Sequence, residues 1–267
     1  VTAGPALLEV RSGAKLARLA PHWPPDAVTV ERVVAEHVRG VVRGPLHPDT
    51  LLARIGWKAG RPPEPVTVRL ADPGGIAVRG PAEATVPFVR WLVAQVAALH
   101  DPRDLCLAVA VAPTSGERWS WLSGVPHARP RTPPLSGSHL ATTEEGARDL
   151  GIRLLDLIEI RRAAAADTPA QRSLIRMPRV LAVLDARLLG PDADAVAEAG
   201  DPLGVHVVRL LEPPARPATH CRRCIDLDPG GTGMTVHIAG AGGGRRGVPD
   251  GVSASYVRQV TEMLDEA

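Results

Sequence analysis

The sequence predicts an α/β three-layer sandwich, with a mostly parallel sheet between two helical layers and a small N-terminal extension. Three observations predict it. Apolar runs recur at residues 105–112, 179–185 and 205–211, each the length of a strand buried on both faces, as in a parallel sheet. Segments of helical period separate these runs. Strands alternating with helices are joined by crossover connections, which place helices over the sheet.

Each element follows from its residues. Residues 1–60 read as an accessory region, with a short strand at 6–10 and a helix at 28–42 that places Val33, Val34, His37 and Val38 near one face. Arg61-Pro-Pro-Glu-Pro65 reads as a linker, because consecutive prolines block both ladder and helix. The main domain then covers 66–267. Val66-Thr-Val-Arg-Leu70 alternates as a strand, Asp72-Pro-Gly-Gly75 turns, and 75–79 is a second strand. A helix is expected over 86–100, where Val89, Leu92, Val93, Val96 and Leu99 share a face. After the strand at 105–112, residues 113–141 are irregular and rich in Pro, Ser, Gly and Trp. Thr142-x-x-Glu145 has the form of a capping box and opens a helix carrying Ala147, Leu150, Leu154, Leu155 and Ile158. Residues 163–178 read as a surface connection. Beyond the strand at 179–185, a short helix at 192–199 closes near Gly200. The strand at 205–211 is followed by a hairpin, 224–228 with 234–238, around Pro229-Gly-Gly-Thr-Gly233. Residues 239–251 read as a Gly/Arg loop and 253–264 as a terminal helix.

Composition narrows the function classes. The chain has 267 residues, 45% hydrophobic and 22% charged, enough to bury a core. A formal net charge of +2 provides no large basic field aimed at nucleic acid, so nucleic-acid binding stays an open question. Three cysteines, an odd number, argue against a disulfide framework and for a reducing compartment. No apolar stretch reaches spanning length and no signal-peptide layout opens the sequence. The expectation is a cytoplasmic body that can belong to a protein whose membrane helices lie elsewhere.

In such a fold the first strand–loop–helix unit is the usual phosphate site. Here it is Gly75-Ile-Ala-Val-Arg-Gly-Pro-Ala-Glu-Ala-Thr-Val-Pro87. A working phosphate loop needs glycines that turn backbone N–H groups inward, a lysine for the β/γ-phosphates and a Ser/Thr for Mg²⁺. Downstream stand Phe88-Val-Arg-Trp-Leu-Val93, Leu99-His-Asp-Pro-Arg-Asp-Leu105, Trp119-Ser-Trp-Leu-Ser-Gly-Val-Pro-His127 and Val180-Leu-Ala-Val-Leu-Asp185. In this order, over roughly residues 50–265, the motifs resemble the P-loop ATPase domains of FtsK/SpoIIIE proteins and of the EccC-like ATPases of type VII secretion.

The resemblance implies a P-loop NTPase-like fold, and the departures from it imply a degenerate one. Setting Phe88-Val-Arg90 on the family's helix puts Thr85 at the lysine, Val86 at the Mg²⁺-binding hydroxyl and Arg79 at the first loop glycine. Arg79, Gly80, Ala84, Thr85 and Val86 would form a vestigial nucleotide loop. Asp185 would be the Walker-B-like carboxylate, with Ala186 where a second carboxylate is expected. The implied role is non-catalytic, structural or regulatory, with no cofactor. Its partners would be neighbouring ATPase modules or other secretion or translocation components, in a homo-oligomeric ring at the inner face of the cell membrane. Two alternatives stand beside it: an active ATP- and Mg²⁺-dependent translocase module, and a stand-alone protein-interaction adaptor.

Other candidate residues have plainer readings. His220-Cys221-x-x-Cys224 suggests zinc, but one such pair reads better as small buried residues, and no metal is expected. Gly242-Gly-Gly-Arg-Arg-Gly247 fits a dinucleotide-loop spacing without the following helix and reads as a loop. Trp119 and Trp121 would face one side of a strand-like stretch, as a core plug or, with His127, as an interface. His100 and His127 read as structural, since no nucleophile stands near them. Asp185 caps a turn or holds a metal.

Overall fold

The computed structural model describes residues 8–12, 15–19, 43–44, 47, 50–58, 64–167 and 177–265. In chain order the elements begin with strands β1 (Leu8–Ser12), β2 (Lys15–Leu19), β3 (Leu52–Lys58), β4 (Pro65–Arg69) and β5 (Ile76–Arg79). Helix α1 (Ala82–Leu99) and β6 (Leu105–Ala110) follow, then 3₁₀ turns at Pro113–Gly124 and Pro126–Ala128 and the two-residue β7 (Leu140–Ala141). Next come α2 (Glu144–Asp167), β8 (Arg179–Asp185), α3 (Ala186–Leu189), α4 (Pro191–Gly200) and β9 (Val205–Leu211). The chain closes with β10 (Arg223–Leu227), β11 (Met234–Ile238), β12 (Arg245–Pro249) and α5 (Ala254–Asp265).

Ten strands form one sheet in the order β4-β3-β12-β11-β10-β5-β9-β8-β6-β7, while β1 and β2 pair antiparallel with each other. From β10 through β7 the neighbours are parallel. From β10 through β4 they are antiparallel. Period-two alternation builds a core on each face of the parallel half. Leu105, Leu107, Val109, Leu181 and Val183 join one cluster with α1, α5 and the Trp-bearing 3₁₀ turn. Cys106, Ala108, Ala110, Val180, Ala182 and Leu184 join the other, with α2, α3 and α4. The three-layer expectation holds. No helix among the described residues is long and apolar enough to cross a membrane.

The structure corrects the boundary placed at residue 60. β3 lies between β12 and β4, so 50–58 belong to the main sheet. Arg54 on β3 donates through Nε to Asp250 Oδ2 at 2.5 Å, both side chains 1% exposed. Its guanidinium stands 4.8 Å over the Trp57 ring and 5.5 Å over that of Trp91 on α1. Gln95 accepts the Arg54 amide and donates to its carbonyl. The Lys58 amide bonds to the Glu64 carbonyl and Pro65 begins β4; residues 61–63 of the expected linker lie outside the described residues. His100 adds a second tie. Its Nδ1 donates to the Val96 carbonyl, so Nε2 is free to accept the Leu51 amide at 3.2 Å. Burial holds this imidazole neutral, lowering its pKa to about 3.

Other differences have local causes. Helix α1 starts at Ala82, with Pro87 inside it; proline costs one intrahelical bond, and the Pro87 carbonyl accepts the Val252 amide. The cap of α2 is Thr143, whose Oγ1 accepts the Gly146 amide, one residue later than the predicted box. Arg245–Pro249 is strand β12, not loop, paired to β11 and β3. The Trp segment is 3₁₀ helix, not strand. The helix proposed over 28–42 lies outside the described residues, as do 168–176 of the surface connection, and α2 runs on to Asp167.

Candidate functional site

Strand order places the candidate site. The chain leaves β5 across β9 and β8 to reach β6, returns through β8 and β9, and then passes over β5 to β10. Such a reversal opens a crevice beyond the carboxyl ends of the strands, where open α/β sheets bind ligands. Here a cleft is lined by Gly80, Thr85, Val86, Asp185, Arg187 and Glu212, together with Ser115 and Trp119. Its volume is about 30 Å³. That holds about two water molecules and falls well short of the ~300 Å³ at the small end of ligand sites.

The connection from β5 to α1 is Gly80-Pro81 alone. A Cβ at Gly80 would stand 3.0 Å from the Leu227 carbonyl oxygen and 3.1 Å from Leu227 Cβ, so any larger residue there needs β10 to give by a few tenths of an ångström. Two residues are too few to curl a ring of amides around a phosphate, and Pro81 has no N–H to offer. Thr85 lies inside the helix, and its hydroxyl donates back to the Pro81 carbonyl at 3.2 Å. Val86 is 5% and Ala84 6% exposed, and Ala84 lies against Gly231 of the β10–β11 loop. The first helical turn carries Glu83, a negative charge at the end where a phosphate would otherwise be favoured.

Each carboxylate at the crevice has an arginine partner. Asp185 ends β8, its side chain 6% exposed. The Arg187 amide donates to its Oδ1 at 3.0 Å, and Arg187 Nε and Nη2 donate to Oδ1 and Oδ2 at 3.1 and 2.7 Å. Arg187 Nη1 reaches Glu212 at 2.5 Å. Hydrogen bonding to Asp185 raises the pKa of this guanidinium further. Arg79 faces away from the cleft, toward β10. Its Nε and Nη2 donate to Asp226 Oδ1 and Oδ2 at 2.8 and 2.6 Å, across a pair in register between β5 and β10. Burial alone would raise the Asp226 carboxyl, but hydrogen bonds from Arg79 and the Cys224 thiol hold it below the usual carboxylate range.

The predicted loop residues thus split. Gly80, Thr85 and Val86 line the cleft with Asp185, whereas Arg79 and Ala84 do not. Arg187, Glu212 and Asp226 were missed. The signal for Arg187 was an arginine two residues after the strand-end aspartate; Asp226 becomes visible only once β10 is paired with β5. Sequence alignment of the loop had Arg79 at a glycine position, but its bidentate bond to Asp226 makes it a strand residue.

The remaining candidates are interior. Trp119 and Trp121 stack with ring centroids 6.3 Å apart and are 0% and 7% exposed. His127 is fully buried and donates through Nε2 to the His100 carbonyl at 2.7 Å. Cys221 and Cys224 are buried with Ala77 and Leu211. Burial and the neighbouring Asp226 push the Cys224 thiol up to about 12. Cys106 lies on the same face of the sheet but four strands from Cys224, on β6 in the second core. Among the described residues no three His, Cys, Asp or Glu side chains converge as a metal site.

No family profile matches the sequence, and no curated protein matches it. Solved structures do match in fold. The EssC structure holding ATPases 2 and 3, from Geobacillus thermodenitrificans, superposes with a TM-score of 0.65 at 12% identity, over 84% of this chain and 50% of that one. The cytoplasmic domain of the type VII secretion ATPase EccC from Thermomonospora curvata gives 0.56 at 18% identity, over 81% and 31%. The pCW3 conjugation coupling protein TcpA, solved with ATPγS, gives 0.57 at 10% identity, over 81% and 71%. This chain therefore has the fold of these ATPase domains, and it spans half of the EssC chain and under a third of the EccC chain.

Proposed function

We propose that this chain is an ATPase-shaped module of a secretion or conjugation motor of the EccC/FtsK type, and that it contributes packing and regulation, not nucleotide hydrolysis. One observation carries the reading: the strand-end carboxylate that would coordinate Mg²⁺ is held by Arg187, beside a two-residue turn with no lysine. Phosphoryl transfer is catalysed by positioning and charge stabilisation. Here the positive charge at the site is Arg187, committed to Asp185, with Glu83 at the helix terminus, so the site residues do not fit Mg²⁺–ATP.

The fold relatives supply the context. EssC carries several ATPase units in one chain, and EccC and EssC are described by their cytoplasmic domains. By analogy this module works on the cytoplasmic side, against neighbouring ATPase modules in a ring whose cargo is protein or DNA. Buried Trp119, Trp121 and His127 would then stiffen the module, with contact to partners left to other surfaces.

Steady-state ATP turnover by the purified chain, alone and with Asp185→Asn, tests the proposal. The expected result is no turnover above buffer in either. Turnover in the wild type that Asp185→Asn abolishes would establish the active-module alternative instead.

A further inference from the structure

Arg90 on α1 is 7% exposed, and among the described residues no carboxylate pairs with it. Buried charges are normally paired, because a charge left without a counter-ion in the interior is costly. Its Nε and Nη2 both donate to one acceptor, the Arg118 carbonyl, at 3.1 and 2.7 Å. Nη1 has no partner among the described residues. Arg161, 2% exposed, also bonds only to carbonyls, but its Nη1 and Nη2 join two separate segments, at Leu203 and Pro178, at 2.7 and 2.6 Å. Those bonds make Arg161 a structural tie. Arg90 spends two donors on a single carbonyl and keeps part of its fork open.

Two more uncommitted guanidiniums belong to the same corner. Arg118 is on the Trp-bearing 3₁₀ turn and Arg258 on α5, elements that share one core with α1. Both side chains are exposed, and neither has a hydrogen-bond or ion-pair partner among the described residues. Glu117, next to Arg118, and Glu262, one turn beyond Arg258, form no ion pair with them. Burial, and then the like charges of Arg118 and Arg258, hold the Arg90 guanidinium below its ordinary pKa, with no carboxylate opposing them. The meeting point of α1, α5 and the 3₁₀ turn therefore carries three positive charges from three elements, none of them paired. None of the three lines the cleft at Asp185.

From this arrangement we infer that Arg90, Arg118 and Arg258 form an oxyanion site for a soluble phosphate group, inorganic phosphate or a small phosphate monoester bound as the dianion. A carboxylate is satisfied by one guanidinium fork, which leaves two of the three cations over. A phosphate group carries about two negative charges and three strong acceptor oxygens, enough to take bonds from forks on three elements. Its binding supplies the counter-charge that Arg90 lacks and ties α5 to α1 and the 3₁₀ turn. A nucleic-acid strand gains affinity from each phosphate neutralised along a row of cations, and an anionic membrane surface calls for a run of basic residues. One cluster in a chain of net charge +2 suits a single phosphate better. The corner is separate from the cleft, so its test does not depend on whether the chain hydrolyses ATP.

Calorimetric titration of inorganic phosphate into the full chain decides the matter, at mildly alkaline pH and with potassium chloride of matched ionic strength as the control. The expected result is saturable binding with a Kd of about 1 mM, which glycerol 3-phosphate reproduces and chloride does not. Arg118→Gln and Arg258→Gln are each expected to weaken it about tenfold, the loss of one charge-assisted bond. Without phosphate both variants should melt at the wild-type temperature or slightly above it, because each removes an exposed charge that repels Arg90. No saturable heat, heat that chloride matches, or a Kd unmoved in both variants overturns the proposal. So does a clear fall in Tm of either variant without phosphate, which would make these arginines structural ties. Capture by phosphatidic acid vesicles or single-stranded DNA that needs Arg118 and Arg258, with no response to soluble phosphate, overturns it as well.

Discussion

Arg187→Ala removes the cation that holds Asp185. The carboxylate would keep only the backbone amide of residue 187, at 3.0 Å, and lose guanidinium bonds at 2.7 and 3.1 Å. Breaking a fully buried pair from one side costs about 3–5 kcal/mol, and an exposed pair about 0–1 kcal/mol. Asp185 is 6% exposed but Arg187 is 50% exposed, so water reaches the vacated space and the cost falls between these limits, at about 2 kcal/mol. For a domain of this size that corresponds to a fall of about 4–8 °C in Tm, readable by calorimetry at neutral pH. Adding Asp185→Asn should recover part of the loss, because a neutral amide needs no counter-charge. A double-mutant cycle should then show a coupling of about 1 kcal/mol or more. If Arg187→Ala melts within about 1 °C of the wild type and the two substitutions add independently, the ion pair is not what fills the site.

Two further predictions concern the core. An unfolded histidine titrates near 6.5, and His100 in the fold near 3. Between those values the unfolded chain binds one more proton, so His100 costs stability as the pH falls from about 6.5 toward 3, by up to ~1.4 kcal/mol per unit. His100→Gln should therefore show a shallower loss of Tm with acidification than the wild type, and an identical slope would contradict the buried neutral ring. Asp250→Ala strands Arg54, 1% exposed, at a cost of about 3–5 kcal/mol. A shift in urea midpoint is expected, and its absence would mean that β3 is a detachable extension after all.

The parallel half of the fold was legible because its strands are buried on both faces and so appear as unbroken apolar runs. β6, β8 and β9 match the predicted segments almost to the residue. The antiparallel half was much less so. β12 is Arg-Arg-Gly-Val-Pro, with no alternation to mark it, and it is a strand because β11 and β3 supply its ladder. β3 precedes the proline-rich stretch that reads as a linker, which hides its place in the main sheet. The start of α1 was set four residues late, at the first residue of the clear apolar period, because Ala82-Glu-Ala-Thr85 carries no large apolar side chain. At the site, Thr85 and Asp185 could be singled out from the sequence. The pairing of Arg187 with Asp185, and the turning of Arg79 toward Asp226, depend on contacts that sequence spacing does not encode.

Calorimetric titration of Mg²⁺–ATPγS into the wild-type chain tests the central claim most directly, because it reads binding whether or not hydrolysis follows. With Asp185 held by Arg187 and about 30 Å³ free beside it, the expected result is no binding heat at sub-millimolar nucleotide, with or without Mg²⁺. Micromolar, Mg²⁺-dependent binding that Asp185→Asn removes would contradict the account.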